Sequence, residues 1–408
     1  MEGSGSQSPS VSVVIVTRDR PRSLALTLKG LRQQYYDNFE IVIVGNDKSL
    51  GGLAAETGIK LVRFDEPNIS RARNLGVAQA SGEIIAFIDD DAIPEPTWLG
   101  FLIAPIAQGK AEIAGGFVRG RNGISFQWKA RWVDHTGQTR PLAVDVTSVF
   151  PPDQSGAAKT EGTNMAIRRD ALIALGGFNE AYHFFLDETD LNLRAGKIGL
   201  RTAICPEAQV HHGYAESERR RGDRAPKTLF QIGASVAVFV REHTPSPDDA
   251  IRIFREQHRK WLLSLMVSGH IEPRDVARLL ATFDTGLIEG AQRQNTFSRF
   301  DQRESFVALP VSPSPHIALY GHWVRAIPLI KKARRLVKQG NRVSLFLFSL
   351  GSRFHTVRFV RSGYWLQHGG LLGKSERSDH MIRLMSLKSR FNLELERVRK
   401  LRSNCIQR

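Results

Sequence analysis

A chain of 408 residues, 41% of them hydrophobic, is long enough to bury two or three cores. It has no apolar run of about 18 residues, which leaves no segment reading as a membrane-spanning helix, and two cysteines, Cys205 and Cys405, support no disulfide framework. The net charge of +16 sits at one end: residues 306–408 hold 20 Lys and Arg against 4 Asp and Glu, leaving 37 of each sign in residues 1–305.

Residues 1–9 are rich in Gly and Ser and read as a flexible start. The apolar run from Val11 to Thr17 then predicts a buried strand, followed by the polar turn Arg18-Asp19-Arg20-Pro21. Pro21 suits the first turn of a helix whose apolar face carries Leu24, Leu28 and Leu31. A second strand spans Glu40–Val44 and ends in Gly45-Asn46-Asp47, and a third spans Lys60–Phe64. Asn68 opens a helix that runs to Gly82, and the next strand begins at Ile84. Strands that are apolar on both faces and alternate with helices predict a mainly parallel sheet covered by helices.

Ligands of such sheets bind at the carboxyl ends of the strands. Thr17, Asn46, Asp47 and the triplet Asp89-Asp90-Asp91 all fall there. Adjacent carboxylates repel, so the triplet either faces water as an acidic turn or holds a cation. Hard divalent cations such as Mn²⁺ and Mg²⁺ take oxygen ligands and share them with a nucleotide diphosphate.

Further on stand Glu161-Gly162-Thr163-Asn164-Met165, Gly176-Gly177-Phe178-Asn179-Glu180, Asp187-Glu188-Thr189-Asp190-Leu191, and Cys205-Pro206-Glu207-Ala208 with Val210-His211-His212. Together with Ala72-Arg73-Asn74, Gly76 and the Asp-ended strand, these make residues 11–215 resemble the family-2 glycosyltransferases. The resemblance implies the GT-A fold over residues 10–225, a nucleotide-sugar donor, a divalent cation and an inverting transfer to an acceptor hydroxyl. It implies that Asp89 and Asp90 lie on the donor side with Asp91 as the main metal ligand. His211 or, preferably, His212 would be a further metal ligand. Arg71 and Arg73 could neutralise diphosphate. Asn46 or Asp47 would meet the base or ribose. The general base would come from Asp187-Glu188, with Glu188 in the position the family uses and Asp187 as its rival. Each of these also has a plainer reading: helix-start acids favoured by the macrodipole, a buried ion pair for Arg73, and an ordinary core histidine.

Residues 226–305 carry helical patterns and read as an extension packed on the catalytic domain. The Pro-rich stretch Pro310–Pro315 resembles a linker. After it come a strand at His316–Tyr320, a helix at Ala326–Gln339, strands at Val343–Phe348 and Val357–Val360, and a basic helical tail from Arg390. Residues 306–408 thus read as a small basic α/β module. Its charge suits an anionic membrane surface, and no nucleic-acid reader motif is present. The expected partners are a nucleotide-sugar and a glycan or lipid-linked acceptor, in polysaccharide or cell-surface glycan synthesis. The expected location is cytoplasmic, peripheral on the inner face of the membrane. A non-catalytic glycan- or nucleotide-binding protein on the same fold is the alternative, though such a module needs no general base. A nucleotidyltransferase would want a Gly-rich phosphate loop, which Thr17-Arg18-Asp19-Arg20 is not.

Overall fold

The computed structural model describes residues 8–53, 56–213, 219, 221–223, 225–300, 303–311, 314–380, 384–402 and 405–407. Residues 1–7 of the expected flexible start lie outside them, as do 214–218, 220 and, in the Pro-rich stretch, 312–313.

The first elements follow the expected alternation: β1 (Val11–Thr17), α1 (Pro21–Leu31), β2 (Phe39–Gly45), short α2 (Asp47–Leu50), β3 (Ile59–Arg63), α3 (Ile69–Gln79) and β4 (Ile84–Phe87). β2 pairs with β1 and β3, and β1 with β4, all in parallel. The β1 and β2 side chains are buried on both faces, one packing with α1 and the other with α3. That two-sided burial is why both strands read as continuous apolar runs.

The chain continues through β5 (Ala92–Pro94), α4 (Trp98–Ala107), β6 (Ile113–Arg119), β7 (Phe126–Trp128), β8 (Arg131–Val133), β9 (Thr139–Pro141), β10 (Ser148–Phe150), β11 (Ala157–Lys159), β12 (Met165–Arg168), α5 (Arg169–Ala174), α6 (Asp187–Lys197) and β13 (Thr202–His212). β12 inserts antiparallel between β4 and β6, and β6 runs parallel to β13. The main sheet has the order β10-β13-β6-β12-β4-β1-β2-β3 and is mostly parallel in its long pairings. This is the α/β architecture that the resemblance implies. β13 runs on through Pro206-Glu207, 11 residues in all, because a bulge between Cys205 and Gln209 lets its pairing with β6 continue.

Helices α7 (Phe230–His243), α8 (Pro247–Val267) and α9 (Pro273–Gln292) follow, as expected for the extension, and share a core with Tyr182, Leu186 and Leu193. α7 and α9 touch backbone to backbone. A Cβ on Gly286 would lie 2.0 Å from the Phe230 carbonyl oxygen, so only glycine permits this approach. Among the described residues, no helix is long and apolar enough to cross a membrane.

The last unit holds β14 (His316–His322), a 3₁₀ turn (Trp323–Arg325), α10 (Ala326–Lys338), β15 (Arg342–Ser349), β16 (Thr356–Val360), β17 (Tyr364–Gly370), α11 (Leu387–Val398) and β18 (Cys405–Gln407). Its sheet has the order β16-β17-β15-β14-β18, parallel except at β16. The expected strands and the α10 helix are present. The basic helical tail is not continuous: α11 stops at Val398 and the chain returns as β18 beside β14.

This unit is seated on the first one. The segment between them runs along the main sheet, where Leu309 N–H donates to the Phe39 carbonyl at 2.8 Å and Val307 N–H to Glu40 Oε2 at 3.0 Å. Arg402 donates two bonds of 2.8 Å to the Glu95 carboxylate, and its guanidinium lies 4.4 Å from the Trp365 ring. Glu95 also accepts from His211 Nε2 at 2.8 Å. All four side chains are buried.

Candidate functional site

β4 stops at Phe87, and Asp89–Asp91 form the turn into β5, closed by Ala92 N–H donating to the Asp89 carbonyl at 3.1 Å. β5 then pairs antiparallel with β13, placing His212 opposite Ala92. This register brings His212 beside the acidic turn. Its Nε2 lies 3.2 Å from Asp91 Oδ1 and 3.8 Å from Asp89 Oδ2, and the three side chains each offer a ligand atom within 4.8 Å of the others.

The arrangement fits a divalent cation. The donor set is two carboxylates and an imidazole, suited to Mn²⁺ or Mg²⁺. His212 Nδ1 donates to Gln127 Oε1 at 3.1 Å, since an amide oxygen can only accept. That bond fixes the tautomer and leaves the Nε2 lone pair facing the carboxylates, as metal-binding histidines require.

Asp90 points the other way. It is fully buried, accepts from Thr17 Oγ1 at 2.7 Å and pairs with Arg20 at 3.1 Å. Burial pushes its carboxyl up to about 7 despite Arg20. Asp90 therefore ties the ends of β1 and β4 together, and it does not line the cleft. Arg20 also reaches Asp91 at 3.6 Å.

The second group of acids starts α6. The turn before it holds Phe185 and Leu186 at φ 75° and 65°, a left-handed conformation costly for side-chain-bearing residues. It aims Asp187 and Glu188 into the same cleft as Asp89. Asp187 is buried and paired with Arg73, whose other guanidinium nitrogen lies 3.8 Å from Asp89. Arg73 thus joins the two acidic groups. Glu188 is less enclosed and accepts from Lys159 Nζ at 2.9 Å. Burial alone would raise both carboxyls. For Asp187 that effect wins over Arg73, helped by the neighbouring Glu188 charge, and its carboxyl is pushed up from the ordinary value. For Glu188 the Lys159 ammonium and Arg73 prevail and hold it below the ordinary value.

Thr17, Arg73, Asp89, Asp91, Asp187, Glu188 and His212 all line one cleft of about 1560 Å³. Arg71, Asn46, Asp47 and Asp90 do not line it. Arg71 pairs with Glu66 at 2.7 Å. Asn46 caps α2 by accepting from Ser49 N–H and bonds Asp19, and Asp47 pairs with Arg63 at 3.1 Å. In their place Asp19, Arg20 and Lys48 reach the cleft. Sequence reasoning missed these three along with Gln127, Trp128, Lys159 and Glu161. For Arg20 the signal was its place in a polar turn at a strand end. For Gln127 and Lys159 no local signal exists, since both stand on strands of three residues.

A sequence model of glycosyl transferase family 2 matches residues 12–176. The O-antigen biosynthesis protein RfbC of Myxococcus xanthus is 26% identical over 249 residues, 55% of this chain and 19% of that protein. The probable glycosyltransferase YdaM of Bacillus subtilis is 28% identical over 230 residues, 49% of this chain and 50% of its own. The chain thus spans half or less of these relatives' lengths. A solved structure, the mannosyltransferase PcManGT from Pyrobaculum calidifontis in complex with GDP-Man and Mn²⁺, superposes with a TM-score of 0.43 at 14% identity, covering 70% of this chain and 88% of that one. A likeness that distant says nothing about the chemistry of this cleft. The match over residues 12–176 and these relatives together support a family-2 glycosyltransferase domain in that part of the chain.

Proposed function

We propose that this protein transfers a sugar, with inversion, from a nucleotide-diphosphate donor to a hydroxyl of a glycan or lipid-linked acceptor. One observation carries the reading: a cation-ready cluster and the Asp187–Glu188 pair share a cleft, with Arg73 standing between Asp89 and Asp187. A divalent cation held by Asp89, Asp91 and His212 would supply Lewis-acid stabilisation of the diphosphate leaving group. Arg20 and Lys48, on the same wall, add positive charge toward that group. Glu188 is the general base. It faces the cleft beside the Lys159 ammonium, which favours its carboxylate form, and an acceptor hydroxyl hydrogen-bonded to it in place of Lys159 would lose its proton to it as the new bond forms. Asp187 instead holds Arg73 in position. A base in the cleft favours an enzyme over a binding module. The product would be a polysaccharide or cell-surface glycan, made at the inner face of a membrane.

Two measurements test the roles. Glu188→Gln is expected to keep donor affinity, read by thermal shift with UDP-, GDP- and dTDP-sugars plus Mn²⁺, and to cut transfer by about 10² or more. Normal transfer by Glu188→Gln with loss in Asp187→Asn would move the base by one residue. The second variant is Gly162→Ala. A Cβ there would lie 2.2 Å from Arg73 Nη2, so the guanidinium must leave its place between Asp89 and Asp187. Transfer should fall by about 10², the scale of a 1 Å misplacement in an active site, with circular dichroism unchanged.

A further inference from the structure

The carboxyl edge of the last sheet carries large apolar side chains in water. β14 ends at His322 and is followed by Trp323 and Val324, with Ile327 in the first turn of α10. β15 ends at Ser349 and is followed by Leu350 and Phe354. The two strands are parallel neighbours with His322 opposite Phe348, so both apolar turns stand at one edge. Leu384 precedes α11, which starts at this edge, since its second turn stacks Phe391 on Tyr320 of β14 at 4.1 Å. These six side chains are 48% to 88% exposed. Isolated exposed apolar residues are ordinary, but a set gathered on one edge marks a contact surface.

The surroundings of the edge are basic. Arg325, Lys331, Lys332, Arg353 and Lys388 are all exposed. Of the four acids in residues 306–408, Asp379 pairs with Arg397, Glu394 with Arg390 and Glu396 with Arg399. The positive charge of this quarter therefore meets almost no compensating carboxylate at the surface.

We infer that this edge docks the protein on an anionic lipid bilayer, with Trp323, Val324, Ile327, Leu350, Phe354 and Leu384 entering the headgroup boundary and the basic rim meeting lipid phosphates. Apolar insertion combined with cationic attraction is what reversible surface binding requires. Trp suits the interfacial depth. A nucleic acid or an acidic protein would match the charge and leave the aliphatic tip unexplained.

The edge also lies beside the cleft. Thr356, at the start of β16, pairs with His368 near the carboxyl end of β17, and the next residue, Val357, donates its N–H to the Asn122 carbonyl at 2.8 Å. Arg121 of that loop lines the cleft and donates to the carbonyl of Gly213, next to His212. Docking would bring the Arg121 side of the cleft near the bilayer, which suits a lipid-linked acceptor. That last step rests on the glycosyl-transfer reading, and the docking itself does not.

The test is co-sedimentation of the full chain, without donor, on phosphatidylcholine vesicles with and without phosphatidylglycerol. Binding is expected only to the anionic vesicles, and it should weaken strongly between about 0.1 M and about 1 M salt as the Debye length falls from about 10 Å to about 3 Å. The triple variant Val324→Ser, Ile327→Ser, Phe354→Ser should lose about tenfold or more in partition while keeping its thermal midpoint, because these side chains are already in water. The pair Lys331→Glu, Lys332→Glu should lose the anionic preference. Equal binding by wild type and the triple variant, or binding blind to lipid charge, overturns the inference, as does tight capture of a DNA duplex with none of vesicles. Transfer to a water-soluble acceptor is measured separately. If that activity is absent while vesicle binding follows the pattern above, the glycosyl-transfer reading fails and the docking stands.

Discussion

Asp91→Ala is expected to abolish the metal dependence of donor binding and to lower transfer by about 10³ or more. The expectation follows from position. Asp91 is the buried member of the acidic pair, 3.2 Å from His212 Nε2, so its loss removes a carboxylate from a set of three ligands. A cation held by one carboxylate and one imidazole binds weakly, and the several kcal/mol of charge stabilisation it would lend the leaving group goes with it. The fold should survive, because Asp90 still ties Arg20 and Thr17 at the strand ends. Mn²⁺ titration followed by electron paramagnetic resonance reads the site directly. Donor affinity that ignores both EDTA and this substitution would sink the metal role.

Arg402→Met is expected to destabilise the protein by about 3–5 kcal/mol, the scale seen when one partner of a buried ion pair is removed. Glu95 would remain as a buried carboxylate bonded to His211 without the Arg402 guanidinium. The double variant Arg402→Met, Glu95→Gln should recover part of the loss, since no bare charge is left behind. A pH dependence goes with it. Burial pushes the Glu95 carboxyl up, but Arg402 and His211 together hold it well below the ordinary 4.5. A carboxyl with a depressed native pKa stabilises fully above its unfolded value. It loses that contribution as pH falls toward the native one. The gap between wild type and Arg402→Met in urea unfolding should therefore be widest above pH 4.5 and narrow below it. A gap of under about 1 kcal/mol at neutral pH would mean that the pair behaves as a solvated one. The same contact bears on truncation. A chain ending near Ser305 would lose Arg402 and Trp365 together, leaving Glu95 without its guanidinium, so point variants are the cleaner probe of the last quarter.

Much of the main sheet was legible because β1, β2 and β4 are buried on both faces and so read as unbroken apolar runs. Asp89 and Asp91 were legible for a related reason: charge at the end of such a run has to be satisfied by something the strand cannot supply. His212 followed from a motif, and the β5–β13 register is what brings it beside the acidic turn. Lys159 and Gln127 were not legible. Each acts through a contact dozens of residues away, from a strand too short to show a period. The choice between Asn46 and Asp47 could not be read either. Asn46 serves as a helix cap and Asp47 as a surface ion pair, while Asp19, held at φ 58°, lines the cleft instead. In the last quarter, α10 announced itself by its stripe of apolar residues. β17 did not, because Gln367 and His368 interrupt its apolar run and only the sheet on either side makes it a strand.

His211 and His212 are consecutive on a strand, and consecutive strand residues face opposite ways. One imidazole belongs to the cation cluster and the other to the Glu95–Arg402 anchor. The wall between the cleft and the last domain is therefore one strand thick at this point. Chimeras inherit a constraint from that. A foreign C-terminal domain grafted onto this chain must bring a guanidinium to Glu95. Conversely, this domain moved onto a relative needs a Glu at the end of the acidic turn's strand and a His just ahead of the metal-side histidine. A graft that ignores the trio of Glu95, His211 and Arg402 would leave a bare charge directly behind the Asp89–Asp91–His212 cluster, so its fault is expected to surface first as a disturbed cluster.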